Sequence, residues 1–231
     1  MIVYGRNVAK EILKSNKKIN KILIQKDFGD KDIISIIENR NLNYEIMDKK
    51  VLSKFAKFSH QGIILDIEDF VYTNLQELIN IVSATIVILD HLEDPHNLGA
   101  IIRTCEAAGV DGIIIPKDRS VSVNSTVMKT SAGALENVKI SMVTNLNQTI
   151  KTLKENGFWI VGTDMQGTNY KEIDYSGKVA IIIGNEGNGM SKSIYDSCDF
   201  IATIPMYGKI NSLNASVAAG IVIYEAVQKK R

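Results

Sequence analysis

The chain of 231 residues has little cysteine, histidine, proline or tryptophan, with two, three, three and one of them respectively. Cys105 and Cys198 are far from any Cys-x-x-Cys spacing, which argues against a disulfide framework and against a zinc site. His60, His91 and His96 show no metal-ligand spacing, so no metal is expected. Few, unpaired cysteines are typical of a reducing compartment, and we expect a cytoplasmic protein.

Long apolar segments and a large net charge are also missing. No apolar run approaches the ~18 residues that cross a bilayer, and the amino terminus has no signal-peptide core followed by a cleavage site. We therefore expect a soluble protein without a membrane partner. The net charge of +1 gives no general affinity for nucleic acid, and DNA is not expected as a partner.

Positive charge is nevertheless concentrated in the first 26 residues, where Glu11 is the only acidic residue. The basic residues of this stretch are Arg6, Lys10, Lys14, Lys17, Lys18, Lys21 and Lys26. Such a cluster fits a surface that contacts phosphates, and it fits a solvated helix face equally well. On charge alone both interpretations stay open.

The first part of the chain, residues 1–68, has the pattern of a small α/β domain. Apolar residues at helical spacing alternate there with short β-branched runs. The predicted helices are Val8–Leu13, Ile33–Arg40 and Val51–Phe55, and the predicted strands are Ile19–Ile24, Tyr44–Met47 and Ile63–Ile67. A linker is predicted at residues 69–82, with a helix at Leu75–Val82 inside it.

Residues 83–231 form a second and larger α/β pattern. The predicted strands are Thr85–Leu89, Gly112–Ile115, Ile140–Val143, Trp159–Gly162, Val179–Ile183 and Phe200–Ile204. The predicted helices are Leu98–Ala108, Thr126–Leu135, Leu146–Asn156 and Ser212–Gln228. Runs such as TIVIL and VAIIIG are apolar throughout, which predicts a mainly parallel sheet covered by helices on both faces.

A polar motif, DPHNLGAIIRTCEAAG at residues 94–109, follows the first of these strands. Asn97 is expected to cap the following helix, and Gly109 to end it in the left-handed conformation. Arg103 has no such local explanation, because it directly follows the apolar run at residues 100–102 of the predicted helix. Its side chain either extends to the surface or is held for an anion.

Two further motifs lie nearer the carboxyl terminus: IIIGNEGNGMS at residues 181–191 and IPMYGKINSLNASVAAGI at residues 204–221. Glu186 is a carboxylate in a glycine-rich turn, and it is either solvated or orients its neighbours by pairing with Arg103 or Asn214. The glycine spacing matches neither the dinucleotide-binding fingerprint nor the phosphate-binding loop. Ser212 or Asn214 is expected to cap the last helix.

In order, spacing and residue type the three motifs resemble the signature motifs of the SpoU and TrmH family of S-adenosylmethionine-dependent RNA 2'-O-ribose methyltransferases. The resemblance implies an α/β fold with a small L30-like amino-terminal domain that binds the RNA substrate. It implies that the second domain has the SPOUT fold, a mostly parallel sheet with a deep trefoil knot at the carboxyl terminus. It also implies a homodimer formed through the knotted domain.

The resemblance further implies roles for individual residues. The catalytic residues would be Asn97, Arg103, Glu186, Ser212 and Asn214. S-adenosyl-L-methionine would be held by Gly184, Ile204, Met206 and Leu213. Contacts with RNA are expected from Arg6, Lys117, Arg119 and Lys129. Because a guanidinium is not normally deprotonated in proteins, we expect Arg103 to clamp a phosphate and stabilise O2', and not to act as a base.

The predicted reaction is 2'-O-methylation of a guanosine in 23S ribosomal RNA, because the pairing of domains looks most like that subgroup. Transfer RNA or another ribosomal RNA site is the alternative target. A non-catalytic RNA-binding or ribosome-assembly protein is the alternative of a different class, and the presence of all five catalytic residue types argues against it. A nucleotide-dependent metabolic enzyme would lack its phosphate loop.

Overall fold

In the computed structural model, which describes residues 1–55 and 60–230, the chain forms two compact units. The first unit comprises Met1–Val71 and Val123–Lys129, and the second comprises Tyr72–Ser122 and Thr130–Arg231. The division at residue 71 falls inside the predicted linker. The grouping of Val123–Lys129 with the first unit had no signal in the sequence. Among the described helices none has the length and apolar character needed to cross a membrane.

The first unit is built on a four-stranded mixed sheet. Its elements are β1 (Ile2–Tyr4), α1 (Arg6–Lys14), β2 (Ile19–Gln25), α2 (Lys31–Asn39), β3 (Glu45–Met47), α3 (Lys49–Leu52) and β4 (Ile63–Ile67). The strand order is β1-β4-β2-β3, in which β4 is antiparallel to both neighbours and β2 is parallel to β3. Strand β1 was not predicted, because three residues are too few to show the alternation of apolar and polar residues that indicates a strand.

The second unit is built on a six-stranded sheet. Its strands are β5 (Thr85–Leu89), β6 (Gly112–Pro116), β7 (Ile140–Val143), β8 (Phe158–Asn169), β9 (Lys178–Ile183) and β10 (Phe200–Thr203). Their order is β10-β8-β9-β5-β6-β7, and every neighbouring pair is parallel. The prediction of a mainly parallel sheet is confirmed. Strands β5 and β6 are buried along their whole length, as their apolar runs predict.

The remaining helices are α4 (Leu75–Ile79), α5 (Pro95–Ala108), α6 (Ser125–Thr130), α7 (Leu146–Glu155), α8 (Lys192–Tyr195) and α9 (Ala215–Lys230). The predicted helix at residues 126–135 is wrong beyond residue 130. Ala132 and Gly133 have positive φ angles of 48° and 84°, and a 3₁₀ turn covers Ala134–Glu136. A left-handed pair of residues cannot continue an α-helix, and Gly133 was the signal for this break.

Helices α5 and α9 pack against each other beside the sheet, and each contains one glycine. The two glycines differ in the space around them. A Cβ on Gly99 would overlap Thr130 Oγ1 and lie 2.7 Å from Thr130 Cβ and 3.1 Å from the Ser131 amide nitrogen. A Cβ on Gly220 would meet only Thr104 Cγ2, at 3.8 Å. Gly99 is therefore needed for close packing, whereas Gly220 is not.

We expect Gly99→Ala to lower the free energy of unfolding by about 1–3 kcal/mol, because the added methyl group forces Thr130 and its backbone to move. Gly220→Ala is the matched control. Its methyl group makes an ordinary contact, so helix propensity should leave the protein as stable or up to about 1 kcal/mol more stable. Urea unfolding of both variants measures the difference, and equal effects would contradict the packing described here.

His60 is a buried polar residue of the first unit, with 6% of its surface exposed. Its Nδ1 accepts a hydrogen bond from the Gly62 amide at 3.0 Å, so the ring proton is on Nε2, which lies 3.1 Å from Ser53 Oγ. Burial, and to a smaller extent the positive charge of Lys49, lower the pKa of His60 below its ordinary 6.5. The folded protein therefore holds this imidazole neutral.

The pKa of His60 predicts a pH dependence of stability. The unfolded chain takes up this proton at a higher pH than the folded chain, so the free energy of unfolding falls as the pH decreases below about 6.5. We expect His60→Gln to reduce this dependence between pH 7.5 and 5.5 in urea unfolding. His96→Gln controls for the loss of one exposed imidazole. A wild-type slope no steeper than that of His60→Gln would contradict the assignment.

Candidate functional site

The glycine-rich loop after β9 is closed by its own hydrogen bonds. The Asn185 and Gly189 backbones exchange two of them, both 3.0 Å long. The Asn185 side chain accepts from the amides of Gly187 and Asn188 at 2.9 and 3.3 Å, and its Nδ2 donates to the His91 carbonyl at 2.8 Å. The loop is therefore tied both to itself and to the segment after β5.

Gly184 stands where this loop closes, and no larger side chain fits there. A Cβ would lie 2.6 Å from the Gly189 carbonyl carbon and 2.7 Å from the Met190 amide nitrogen. Since both are backbone atoms, neither can turn aside as the end of a flexible side chain can. Gly187, in the same loop, would place a Cβ no closer than 3.5 Å to its nearest neighbour, Asn185 Oδ1.

We expect Gly184→Ala to open the loop and to weaken binding of S-adenosyl-L-methionine by about tenfold or more, with a loss of stability of about 1–3 kcal/mol. Gly187→Ala is the matched control, because the same methyl group makes only an ordinary contact there. Isothermal calorimetry with both variants measures the cofactor affinity. Equal affinities for the two variants would show that the closed loop has no part in binding.

A buried carboxylate joins the loop to the end of β5. Asp90 is 2% exposed, accepts the Ser191 amide on Oδ2 at 3.0 Å and pairs through Oδ1 with His91 Nδ1 at 2.6 Å. Asp90 and Asn185 were not among the predicted site residues. Their signal was position, because each is the first residue with a hydrogen-bonding side chain after the apolar runs of the neighbouring parallel strands β5 and β9.

Asn97 has a different role from the predicted cap. Helix α5 begins three residues earlier: Asp94 Oδ1 accepts the His96 amide at 2.9 Å, and Pro95 occupies the first turn. The prediction that Asn97 caps the helix is therefore wrong, because proline preceded by aspartate is the stronger start signal. Asn97 lies inside the helix, is 7% exposed, and uses its side chain for other contacts. Gly109 ends the helix with φ 76°, as predicted.

The Asn97 side chain connects all three motifs. Its Nδ2 donates to Glu186 Oε1 at 2.9 Å, and its Oδ1 accepts from Asn214 Nδ2 at 3.0 Å. Asn214 Oδ1 in turn caps α9, accepting from the Ser216 amide at 2.9 Å. A carboxylate only accepts hydrogen bonds, so Glu186 fixes the orientation of both amides. We call Glu186, Asn97 and Asn214 the amide chain.

The predicted pairing of Glu186 with Arg103 or Asn214 is wrong, since its hydrogen bond is with Asn97. Arg103 lies six residues further along α5, which places it about 9 Å along the helix axis and about 120° around it. The Arg103 side chain is exposed and has no ion pair or hydrogen bond to any residue of the ranges 1–55 and 60–230. Its guanidinium is available for an external anion.

The third motif presents backbone groups more than side chains. Within the described part of the chain, residues 204–213 make no backbone hydrogen bond to one another or to other residues. Ile204 is half-buried and Ser212 is exposed, and Met206 and Leu213 expose 39% and 38% of their surface. Unpaired N–H and C=O groups beside apolar side chains are suited to a ligand with both polar edges and apolar faces.

The four residues predicted to contact RNA are divided between the two units. Lys117 and Arg119 follow β6 in the second unit, where Arg119 has φ 52° and lines a cavity of about 510 Å³ with Asp90, His91 and Asn185. Lys129 lies in α6 and Arg6 begins α1, and both belong to the first unit. All four side chains are exposed.

Two family models match this chain. The model described as the SpoU rRNA methylase family matches residues 84–224, and the model described as RNA 2'-O ribose methyltransferase substrate binding matches residues 2–73. A protein of Staphylococcus saprophyticus with the provisional name TrmH family tRNA/rRNA methyltransferase is 44% identical over 239 residues, which covers 100% of this chain and 96% of that protein.

Solved structures share the fold. An rRNA methyltransferase from Sinorhizobium meliloti, crystallised with AdoMet, has a TM-score of 0.79 and 27% identity, covering 98% of this chain and 86% of that chain. A TrmH/SpoU tRNA modifying enzyme of A. aeolicus has a TM-score of 0.58 and 34% identity, covering 67% and 80%. The knot is implied by this fold and stays a prediction. From the family models and the relative that matches along its whole length, the chain belongs to the SpoU/TrmH family of RNA methyltransferases.

Proposed function

We propose that this chain transfers a methyl group from S-adenosyl-L-methionine to the ribose 2'-hydroxyl of a guanosine in 23S ribosomal RNA. The observation that carries the proposal is the amide chain, which brings the three motifs together beyond the carboxyl ends of β5 and β9. The match of residues 2–73 to a substrate-binding model of RNA 2'-O ribose methyltransferases supports the same reaction.

S-adenosyl-L-methionine is the cofactor of this family, and residues of this chain fit it. The unpaired backbone groups of residues 204–213 offer hydrogen bonds to the adenine and ribose, with Ile204, Met206 and Leu213 as apolar cover. The closed loop at Gly184 offers further backbone groups for contacts with the cofactor. When bound, the cofactor supplies a methyl group on a positively charged sulfur.

The chain's own residues have to position the hydroxyl group and assist the loss of its proton. In this proposal Arg103 binds a phosphate beside the target ribose and stabilises the negative charge that develops on O2'. Its exposed guanidinium, which has no partner among the described residues, suits both roles. The proton leaves to that phosphate, to water or to a carboxylate, since the guanidinium stays charged. The amide chain holds Asn97 and Asn214 in fixed orientations at this centre, and Ser212 acts beside them.

RNA binding is assigned to Arg6, Lys117, Arg119 and Lys129, whose exposed cations suit phosphate contacts.

We also propose a homodimer through the knotted domain. Helix α9 supports it, because two of its large apolar residues, Val217 and Tyr224, are 51% and 46% exposed. A reducing, cytoplasmic setting is proposed from two free thiols, Cys105 and Cys198.

The proposal is tested by incubating the protein with methyl-labelled S-adenosyl-L-methionine and either unmodified 23S ribosomal RNA or transfer RNA, followed by nuclease mapping. We expect label on one guanosine of the 23S RNA. Label on transfer RNA alone would move the target and keep the chemistry, a second candidate favoured by the tRNA/rRNA name of the relative and by the A. aeolicus tRNA modifying enzyme. Binding of both ligands without transfer would support the non-catalytic alternative.

A further inference from the structure

A second candidate binding site lies in the first unit, and none of its lining residues is among those assigned to methyl transfer. It is a cavity of about 680 Å³ at the carboxyl end of β2 and the amino end of α1. Arg6 and Asn7 from α1, Gln25, Asp27 and Phe28 at the end of β2, and Lys49 from α3 contribute to its lining. This volume is within the range of sites that hold a small organic ligand.

One wall of the cavity is formed by a cation that lies over an aromatic ring. The guanidinium carbon of Arg6 lies 5.3 Å from the centre of the Phe28 ring. Arg6 is also fixed by Gln61, which accepts the Arg6 amide on Oε1 at 2.9 Å and the Arg6 Nε on its carbonyl at 3.4 Å. Phe28 packs so closely on Gly62 that a Cβ there would lie 2.8 Å from the ring. We call Arg6 and Phe28 the platform.

The turn behind the platform has an unusual backbone. Gln61 and Gly62 have positive φ angles of 50° and 86°, a conformation that persists only where the surroundings hold it. The buried His60 holds it here, through its hydrogen bonds to the Gly62 amide and with Ser53. The strained turn, held by a buried histidine, keeps the exposed Arg6 and the half-buried Phe28 of the platform in one orientation.

Polar groups around the platform are available for a ligand. The side chains of Asn7, Gln25 and Asp27 make no hydrogen bond to another residue in the described part of the chain, and Lys49 makes no ion pair there. The cavity therefore combines a flat stacking surface, two cations, a carboxylate and two amides. Stacking on arginine and aromatic planes, together with contacts to base edges, is the usual way in which proteins bind unpaired RNA bases.

We propose that this cavity binds one unpaired nucleotide of the RNA substrate, in addition to the nucleotide that is methylated. The base stacks on the platform, the phosphate lies at Lys49, and Asn7, Gln25 and Asp27 face the base edge. Because the Asp27 carboxylate only accepts hydrogen bonds, the site favours bases with an exocyclic amino group over uracil. This proposal rests on the proposed function for the identity of the polymer.

The test uses the full-length protein and fluorescent single-stranded oligo(C) and oligo(U) of 12 nucleotides, with anisotropy as the readout and no cofactor present. We expect tighter binding of oligo(C). Arg6→Lys and Phe28→Leu should each weaken oligo(C) binding by about fivefold or more, because each removes one plane of the platform. Lys14→Ala removes one exposed charge of the same unit outside the cavity and should weaken binding by less than about twofold.

The variant Asp27→Asn tests which base is preferred, independently of how tightly RNA is bound. It should reduce the preference for oligo(C) over oligo(U) while binding of oligo(U) is retained. Arg6→Lys keeps the charge on an exposed side chain, so it tests the site even where Phe28→Leu fails to fold. Equal effects of Arg6→Lys and Lys14→Ala, or no preference between the oligonucleotides, would overturn the proposal. The readout needs no methyl transfer, so a protein inactive in the labelling assay that keeps this preference would refute the proposed reaction and retain this site.

Discussion

Replacing Asn97 with aspartate is expected to slow methyl transfer by about 100-fold or more and to destabilise the fold by about 1–3 kcal/mol. The change replaces the Nδ2 donor with an oxygen, so that two carboxylates face each other where an amide now donates to Glu186 at 2.9 Å. Because position 97 is only 7% exposed, solvent screens the new carboxylate weakly, even though Glu186 itself is exposed. Single-turnover rates and urea unfolding measure the two effects.

The double variant Asn97→Asp/Glu186→Gln tests the cause. Glutamine restores a donor at position 186, so most of the lost stability should return, and a double variant no more stable than Asn97→Asp alone would show that this contact is not formed. Asn137→Asp is the matched control, because Asn137 Nδ2 donates to Glu106 Oε1 at 3.2 Å on the exposed surface. There we expect a change in stability of less than about 0.5 kcal/mol and no change in rate.

Removal of the Arg103 side chain should lower the rate of methyl transfer and leave the stability of the fold almost unchanged. We expect Arg103→Ala to lower the rate of methyl transfer by about 100-fold to 1000-fold, as the loss of a donor to a developing oxyanion does elsewhere. The free energy of unfolding should change by less than about 0.5 kcal/mol, since the side chain is exposed and makes no ion pair in the described residues. Lys151→Ala, an exposed basic residue of α7, is the control for general loss of charge.

Arg103→Lys distinguishes a clamp from a base. Lysine keeps the positive charge but loses the planar fork that holds a phosphate with two hydrogen bonds, so we expect a loss of about tenfold or more in rate. Activity near the wild-type level, with a pH profile shifted to lower pH, would favour a base at this position. Rates of both variants across pH 6 to 10 decide between the two roles.

The sheet of the second unit was predictable because its central strands β5, β6 and β9 are largely continuous apolar runs. A strand such as TIVIL, buried on both faces, is distinct from the amphipathic helices that flank it, and alternation of the two elements requires parallel strands. Helix ends were less predictable. Asp94 and Asn97 are both good caps by residue type, and only the proline at position 95 favours the earlier start.

The amide chain could not be predicted from local sequence. Asn97 is 89 residues from Glu186 and 117 from Asn214, and no periodicity connects positions so far apart. The pairing depends on β5 and β9 being neighbours in the sheet, which is a property of strand order. Residue type indicated that each side chain was unusual, whereas the partner of each was decided by topology.

The position of the transferred methyl group tests the central claim most directly. Alkali cleaves RNA beside every free 2'-hydroxyl and leaves a 2'-O-methylated nucleotide inside a resistant dinucleotide. We would label unmodified 23S ribosomal RNA with the full-length protein and methyl-labelled S-adenosyl-L-methionine, and then hydrolyse it with alkali. We expect the label in resistant dinucleotides. Label found only in mononucleotides would mean methylation of a base and would contradict ribose methylation by this chain.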